Sequence, residues 1–107
     1  MAPPPTVPEK GFYYHHKHDP RGSFNNYAYE VMGVGHHTEE ERSFFVVYRP
    51  LYESAFVYQN GKMFDVRPLP MFVESVEKDS GRIPRFTKID DPGLLARFRK
   101  LRDEMYP

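Results

Sequence analysis

The sequence predicts a mainly β domain of five or six short strands that ends in one amphipathic helix. Two stretches carry the strand prediction most clearly. Residues 27–34 alternate along the chain, and residues 43–51 are almost all β-branched or aromatic. Alternation is typical of a half-buried strand, and a run of large apolar residues is typical of a central one. The helix prediction rests on apolar residues at helical spacing near the C-terminus.

The size and charge of the chain limit its function classes. Its 107 residues suit a single domain over 11–107, after a proline-rich stretch at 1–9 that we expect to be a disordered tail. Fifteen basic and fifteen acidic side chains cancel, so no global field gathers nucleic acid or an anionic membrane. Cysteine is absent, which excludes disulfides and cysteine catalysis. No apolar run approaches the ~20 residues that cross a bilayer, and we expect a soluble, cytoplasmic protein without a membrane partner.

Turn signals divide the middle of the chain into further strands. Asn60-Gly61 between β-prone arms predicts a type I′ hairpin, because both central residues of that turn need positive φ. The two prolines within residues 67–72 predict a tight turn, such as a single 3₁₀ turn. Residues 73–77 alternate again, and residues 82–89 are predicted as one return strand.

The C-terminal helix is predicted at about 92–105. Asp91 is a good N-cap residue, and Pro92 suits the first helical position. The apolar residues that follow share one helix face, which we expect to pack on the sheet or to close a barrel: Leu94, Leu95, Phe98, Leu101 and Met105.

Six short motifs follow one another in the order of a known family. They are G-x-Y-x-H-x-K at 11–17, Y-x-V-x-G-V-G at 29–35, H-T-E at 37–39, V-V-Y-R-P-L-Y at 46–52, V-R-P-L-P-M-F-V-E-x-V at 66–76 and I-P-R-F at 83–86. Together they resemble a small bacterial family, domain of unknown function 1653, over residues 11 to about 89. The resemblance implies no established activity. By analogy, its short strands and tight closure imply a fold similar to small SH3-like barrels. The loop at 18–26 is longer than the family's usual turn, and the proline tail and terminal helix lie outside the match.

Three of the five histidines fall within four positions, which raises the question of a metal site. On a strand, His16 and His18 share one side and lie ~6.5–7 Å apart. They could hold one metal ion if a third ligand such as His36, His37 or Glu39 came close. The spacing matches no strong metal motif, and His18 beside Asp19-Pro20 is typical of a solvated loop residue. We therefore predict no metal and no other cofactor.

The polar residues that match the family pattern form the predicted ligand-binding set: His15, His37, Glu39, Tyr48, Arg67 and Arg85. In this set the arginines would hold an anion, Tyr48 would supply a flat contact, and the histidines would tune hydrogen bonding. Each residue also has a structural alternative. A histidine can cap a strand end, and an arginine can form an internal salt bridge with Glu74 or Glu39.

The leading functional hypothesis is a non-catalytic module that binds a small anionic ligand, a peptide or a nucleic-acid segment, as a monomer or a homodimer. Basic residues at 97–102 keep nucleic acid open as a partner, although the acids beside them and the neutral net charge do not favour it. A second hypothesis is a small hydrolase or isomerase, with His15 or His37 as general base and Glu39 orienting it. A third is a metal protein built on His16 and His18.

Overall fold

The computed structural model describes residues 7–52, 64–79 and 81–107, which form two antiparallel sheets and two helices. The larger sheet has the strand order β4-β3-β2-β1-β7, and β5 pairs with β6 in a hairpin of their own. The strands are β1 Gly11–His15, β2 Ala28–His36, β3 Phe44–Pro50, β4 Asp65–Pro68, β5 Ser75–Lys78, β6 Gly81–Pro84 and β7 Phe86–Lys88; the helices are α1 Leu69–Val73 and α2 Pro92–Met105. The mainly β class and the C-terminal helix predicted from the sequence are confirmed.

The five-stranded sheet is open at its edges but strongly curled. Among the described residues its edges are β4 and β7, which do not pair, so the sheet is not closed into a barrel. In a flat sheet, four strand spacings would separate these edges by roughly 19 Å. Instead, Cζ of Arg67 on β4 lies 5.5 Å from the ring centre of Phe86 on β7. The sheet therefore has a concave face on which side chains from both edges meet.

The concave face holds the first core, which is built from four strands and α1. Its buried residues are Tyr13, Val31, Val46, Tyr48, Leu69, Phe72 and Phe86. The ring centres of Phe72 and Phe86 stack 4.1 Å apart. Where the sequence predicts a tight turn at 67–72, the structure has the end of β4 and the short helix α1. The helix differs from a 3₁₀ turn in that it buries two side chains, Leu69 and Phe72, against the sheet.

The return strand predicted at 82–89 divides in two at Arg85. β6 pairs with β5, whereas β7 pairs with β1 in the other sheet. The backbone N–H of Arg85 donates to the Glu74 carbonyl at 3.0 Å, and the Arg85 carbonyl accepts from the His16 N–H at 2.8 Å. The chain thus changes sheets directly after Pro84, which has no N–H to continue a ladder.

Helix α2 covers the convex face of the sheet. The second core, on this face, consists of Phe12, Ala28, Leu51, Ile89 and Phe98. The predicted N-cap forms, because the Leu94 N–H donates to Oδ2 of Asp91 at 2.9 Å. Phe98 is fully buried and stacks on Phe12 with ring centres 5.7 Å apart. Within the described ranges, no helix is long and apolar enough to cross a bilayer.

A buried carboxylate, that of Glu30, connects α2 to the sheet. Glu30 is 7% exposed and accepts hydrogen bonds from Nε of Arg49 at 2.9 Å and from Nη1 of Arg102 at 2.7 Å, and Nη2 of Arg49 also lies 2.9 Å from its carboxylate. The Arg49 guanidinium also lies over the Tyr106 ring, with Cζ 4.0 Å from the ring centre. Glu30 on β2 therefore has two cationic partners, one from β3 and one from α2.

Two sequence predictions fall wholly or partly outside the described residues. The Asn60-Gly61 hairpin lies there, and so do residues 1–6 of the proline-rich stretch. In the described part of that stretch, Glu9 contacts the domain. Its carboxylate accepts from Nζ of Lys88 at 2.7 Å, and its carbonyl accepts from the Tyr13 hydroxyl at 2.8 Å.

Candidate functional site

Polar and aromatic side chains meet around Phe86 at one end of the concave face. The Phe86 ring centre lies 5.0 Å from that of His15, 5.7 Å from that of Tyr29 and 6.0 Å from that of Tyr48. Cζ of Arg67 approaches the same ring to 5.5 Å. These four residues come from β1, β2, β3 and β4, and the period of two along each strand directs them to the same face. Tyr52 joins this group through its hydroxyl oxygen, which lies 2.7 Å from that of Tyr29. We call His15, Tyr29, Tyr48, Tyr52 and Arg67 the concave cluster.

Arg67 brings a half-buried positive charge into the concave cluster. Its Nε donates to the Tyr48 hydroxyl at 3.3 Å, which is a long hydrogen bond. Among residues 7–52, 64–79 and 81–107, no carboxylate lies within ion-pair distance of its guanidinium. Asp65 lies two residues earlier on the same side of β4, and burial raises its pKa, an effect that the Arg67 charge partly offsets. In the described part of the chain, the guanidinium is thus left without an ion-pair partner.

His15 enters the concave cluster as a neutral imidazole. It is 9% exposed, and its Nδ1 accepts from the Lys17 backbone N–H at 3.2 Å. Burial lowers its pKa to about 4, and the nearby positive charges of His16, Arg67, Arg85 and Lys17 act in the same direction. Since Nδ1 is the acceptor, the proton of the neutral ring is on Nε2, which is therefore a donor.

Three tyrosines form the aromatic wall of this end of the sheet. The hydroxyl oxygens of Tyr29 and Tyr52 are 2.7 Å apart. Burial raises the pKa of Tyr29 far above its ordinary value, and the hydrogen bond to Tyr52 adds to the effect, so the Tyr29 hydroxyl keeps its hydrogen. Tyr27 is 38% exposed, and its ring centre lies 5.9 Å from that of His15 and 5.7 Å from that of Tyr52. The aromatic wall therefore extends from the solvent-exposed Tyr27 to Tyr29 and Tyr52 in the concave cluster.

Within the described residues, the concave cluster has several hydrogen-bond donors that lack an acceptor. The Tyr48 hydroxyl accepts from Arg67 and keeps its own hydrogen. In the Tyr29–Tyr52 pair, whichever hydroxyl donates, the hydrogen of the other is left over. Neutral His15 adds Nε2–H, and Arg67 adds its terminal N–H groups. Such an arrangement suits an acceptor-rich group, as in a carboxylate or a phosphate.

Arg85 lies beside the concave cluster but forms the internal ion pair that the sequence offered as the structural alternative. Its Nη2 bonds to Oε1 of Glu74, and its Nε donates to the Met71 carbonyl at 3.1 Å. Because Met71 belongs to α1 and Glu74 follows it directly, Arg85 fastens that helix to the chain before β7. Its charge still reaches His15, whose pKa it helps to lower.

His37 and Glu39 lie at the opposite end of the sheet, in the turn after β2. At ~3.3 Å per residue, His37 is roughly 25 Å along the strand from Tyr29. Nδ1 of His37 accepts from the Glu39 backbone N–H at 3.0 Å, and the His37 N–H donates to the Ser43 carbonyl at 2.8 Å. Within the described residues, no hydrogen bond joins the Glu39 carboxylate to His37 or to His15. The structure thus brings His15, Tyr48 and Arg67 together and places His37 and Glu39 in a turn-capping arrangement.

The two histidines considered for a metal have separate surroundings. Nδ1 of His18 lies 2.7 Å from the Asn26 carbonyl, and its ring stacks on Tyr14 at 3.7 Å between centres. His16 packs against His15 with ring centres 4.3 Å apart, and its buried Nδ1 has no hydrogen-bond partner among the described residues. In the same part of the chain, no group of three or more His, Cys, Asp or Glu residues is arranged to hold a metal ion.

The ligand-binding set predicted from the sequence lacked five residues of this region: Tyr27, Tyr29, Tyr52, Asp65 and Phe86. Tyr29 had a usable signal, since alternation within 27–34 directs it to the same face as Tyr27 and Val31. Phe86 stands in the I-P-R-F motif, but its central position depends on β7 pairing with β1, which is a contact between distant parts of the chain.

The curled sheet, the helix α1 that packs into it and the donor-rich end of its concave face define a small β domain with a polar, aromatic-walled cluster on the inner face of its larger sheet. The profile of a family described as "Protein of unknown function (DUF1653)" matches residues 11–88. The chain belongs to this family, as its motifs predict. It is similar to the crystal structure of a family member from Bordetella bronchiseptica, with 28% sequence identity over 76% of this chain and 86% of that chain and a TM-score of 0.56. No curated protein matches the chain.

The matched segment contains every residue of the concave cluster, whereas α2 lies beyond it. The matched segment therefore covers both faces of the larger sheet, including the concave cluster. The helix on the convex face lies outside the matched segment.

Proposed function

We propose that this protein is a non-catalytic binding module that holds a small oxyanion at the donor-rich end of its concave face. The observation that carries the proposal is the Arg67 guanidinium, which is half-buried and without an ion-pair partner in the described chain. A buried charge is costly unless it is paired, so such a group gains most when an anion joins it. Tyr48 and His15 would add donors on either side.

Local electrostatics support an anion rather than a cation. The chain as a whole is neutral, yet His15 experiences positive charge from Arg67, Arg85 and Lys17. This end of the sheet is thus locally positive, and a concave surface concentrates such a field. The same field holds His15 neutral, so that it donates through Nε2 at ordinary pH.

The low pKa of His15 and the position of Glu39 support binding over catalysis. A histidine general base needs a pKa near the working pH and an orienting partner. The pKa of His15 is lowered to about 4, and its Nδ1 is engaged by a backbone N–H rather than by a carboxylate. Glu39, the orienting group in the enzyme hypothesis, lies at the other end of the sheet.

The test is an NMR titration of the full 107-residue protein with acetate and with inorganic phosphate, following the Arg67 Nε–H and His15 ring signals. We expect saturable shifts at millimolar concentration, because one or two charge-assisted contacts give a Kd on that scale. Arg67→Met should weaken the binding ~10-fold or more, and Tyr48→Phe should weaken it less. Arg82→Met, which removes an exposed arginine from β6, is the matched control. Equal effects of the two arginine substitutions, or no saturable shift in the native protein, would contradict the proposal.

Two finer sequence predictions belong with this proposal. We propose that the curled sheet is an opened relative of the small SH3-like barrel, which the approach of Arg67 on one edge to Phe86 on the other supports. An experimental structure in which β4 and β7 diverge would refute it. We also propose a cytoplasmic location, which cell fractionation tests.

A further inference from the structure

We infer that the oxyanion bound by the concave cluster is a singly charged carboxylate carried on a flat ring, and that the site selects it over a doubly charged phosphate. This inference rests on the proposed function and deepens it by naming the ligand class.

The charge of the concave cluster matches one negative charge. Arg67 is its formal cation, since Arg85 is paired with Glu74. His15 contributes hydrogen bonding without charge, because burial and the cations around it keep the ring neutral. Asp65 lies on the same side of β4 as Arg67 and adds a carboxyl group nearby. An anion at Arg67 also lies near the Asp65 carboxyl, so the second negative charge of a phosphate dianion would add repulsion from Asp65 without a second cation in the concave cluster to offset it.

The shape of the free guanidinium edge favours a planar partner. Nε of Arg67 is engaged by the Tyr48 hydroxyl, and the two terminal nitrogens have no hydrogen-bond partner among residues 7–52, 64–79 and 81–107, so they present the edge that is open to a ligand there. Two parallel N–H groups match the two oxygens of a carboxylate in a bidentate pair. The Phe86 ring, 5.5 Å from Cζ, covers part of the region around the guanidinium, which leaves less room for the third terminal oxygen of a tetrahedral phosphate than for a planar carboxylate.

The aromatic rings at the solvent-exposed end of the wall suit a ligand whose carboxylate is attached to a flat ring. Tyr27 is partly exposed and contacts both His15 and Tyr52, with centres 5.9 and 5.7 Å away. Tyr27 has a φ of +52°, a left-handed conformation that side chains other than Gly, Asn and Asp rarely adopt. A planar ring stacked on tyrosine or histidine gains offset or edge-to-face contacts that an aliphatic body does not make.

The experiment is an NMR titration of the full-length protein with four matched probes: benzoate, phenyl phosphate, cyclohexanecarboxylate and benzamide. At pH ~7.5 we expect benzoate to bind about tenfold more tightly than phenyl phosphate, which is doubly charged there since its second pKa is ~6. At pH ~5.5 phenyl phosphate becomes mostly a monoanion, and the gap should narrow. Cyclohexanecarboxylate should bind a few-fold more weakly than benzoate for lack of stacking, and uncharged benzamide should leave the Arg67 Nε–H signal unmoved.

Two variants test the ring contact and the place of binding. Tyr27→Asn removes the ring and keeps a residue type that accepts positive φ, so the fold should persist while benzoate, but not acetate, loses affinity. Arg67→Met should abolish the preference for benzoate over benzamide, and Arg82→Met should leave it intact. Thermal unfolding of each variant shows whether it is folded.

The outcomes separate this inference from the proposed function. Phenyl phosphate that binds as tightly as benzoate at pH ~7.5, or more tightly, would overturn the carboxylate preference and leave an oxyanion site in place. If benzoate and cyclohexanecarboxylate bind with equal affinity, the inference that the ligand carries a flat ring is wrong. If neither benzoate, phenyl phosphate, acetate nor inorganic phosphate moves the Arg67 and His15 signals, both the inference and the proposed function fail.

Discussion

The buried carboxylate of Glu30 gives the sharpest stability prediction, with Glu30→Gln as the perturbation. The substitution keeps the side-chain volume and removes the charge that two arginines share. Glu30 accepts two hydrogen bonds, one from Arg49 at 2.9 Å and one from Arg102 at 2.7 Å, and a second nitrogen of Arg49 lies 2.9 Å from its carboxylate. Removing one member of a buried ion pair costs about 3–5 kcal/mol, because the charge left behind is buried without a partner.

The expected loss for Glu30→Gln lies at the low end of that range, because Arg102 keeps its bond to Asp103 at 2.7 Å and water reaches part of its side chain. The side chain of Arg102 is 29% exposed, whereas that of Arg49 is 15% exposed. We therefore expect a loss of about 3 kcal/mol in the free energy of unfolding. For a chain of this length, 1 kcal/mol shifts Tm by ~4 °C, so the loss corresponds to roughly 12 °C.

The assay is chemical and thermal unfolding of the native protein beside Glu30→Gln and a control, Glu77→Gln. Glu77 also pairs with an arginine, Arg82, but at 3.9 Å and in an exposed position. An exposed pair contributes about 0–1 kcal/mol. Adding Arg102→Met to Glu30→Gln should cost less than the sum of the single losses, because both substitutions break the same bond. Equal effects at Glu30 and Glu77 would refute the reasoning.

The remaining predictions use the same unfolding measurements. Burial lowers the pKa of His15 in the folded state from 6.5 to about 4. Between these two pH values only the unfolded state binds a proton at His15. Stability should therefore fall by roughly 3 kcal/mol as pH drops through this interval, and a pH profile of His15→Gln as steep as that of the native protein would contradict this. Tyr52→Phe should cost ~1 kcal/mol by removing the Tyr29–Tyr52 hydrogen bond, and it should cost almost nothing when Tyr29 is already Phe. Asp91→Ala should cost ~1 kcal/mol through loss of the N-cap; a loss no larger than that of Asp90→Ala would rule out the cap as its source.

The parts of the fold that could be predicted are those encoded by local patterns. The start of α2 follows from Asp91-Pro92, and its buried face follows from the spacing of Leu94, Leu95 and Phe98. β2 and β3 follow from alternation and from a run of large β-prone residues. Such signals depend only on neighbours within a turn or a strand.

What could not be predicted depends on pairing between distant segments. Residues 82–89 look like one strand, yet they divide at Arg85, because β6 finds its partner in β5 and β7 finds its partner in β1. The α1 helix forms where two prolines indicated only a turn, since burial of Leu69 and Phe72 stabilises it. The local sequence indicates neither which strand β6 or β7 pairs with nor that Leu69 and Phe72 are buried.

The candidate site shows the same division. Arg67 and Arg85 have equivalent sequence settings, each beside a proline in a family motif. The structure distinguishes them through Glu74, which pairs with Arg85 and leaves Arg67 on the concave face. His15 and His37 also look equivalent as motif residues, but one lies in the concave cluster and the other caps a turn. A motif match cannot separate these roles, because both preserve the residue type.

The pairing of the first strand with the last has a consequence for how the protein folds. Tyr13 on β1 lies opposite Lys88 on β7, so the concave face is complete only after both ends of the domain have met. Closing so long a loop is slow, and domains dominated by such contacts fold in milliseconds to seconds. If β7 pairs with β1 after the rate-limiting step of folding, a ligand that binds near Arg67 and Phe86 binds only molecules that have already folded. It then lengthens the lifetime of the native state by retarding unfolding, and leaves the speed of refolding unchanged.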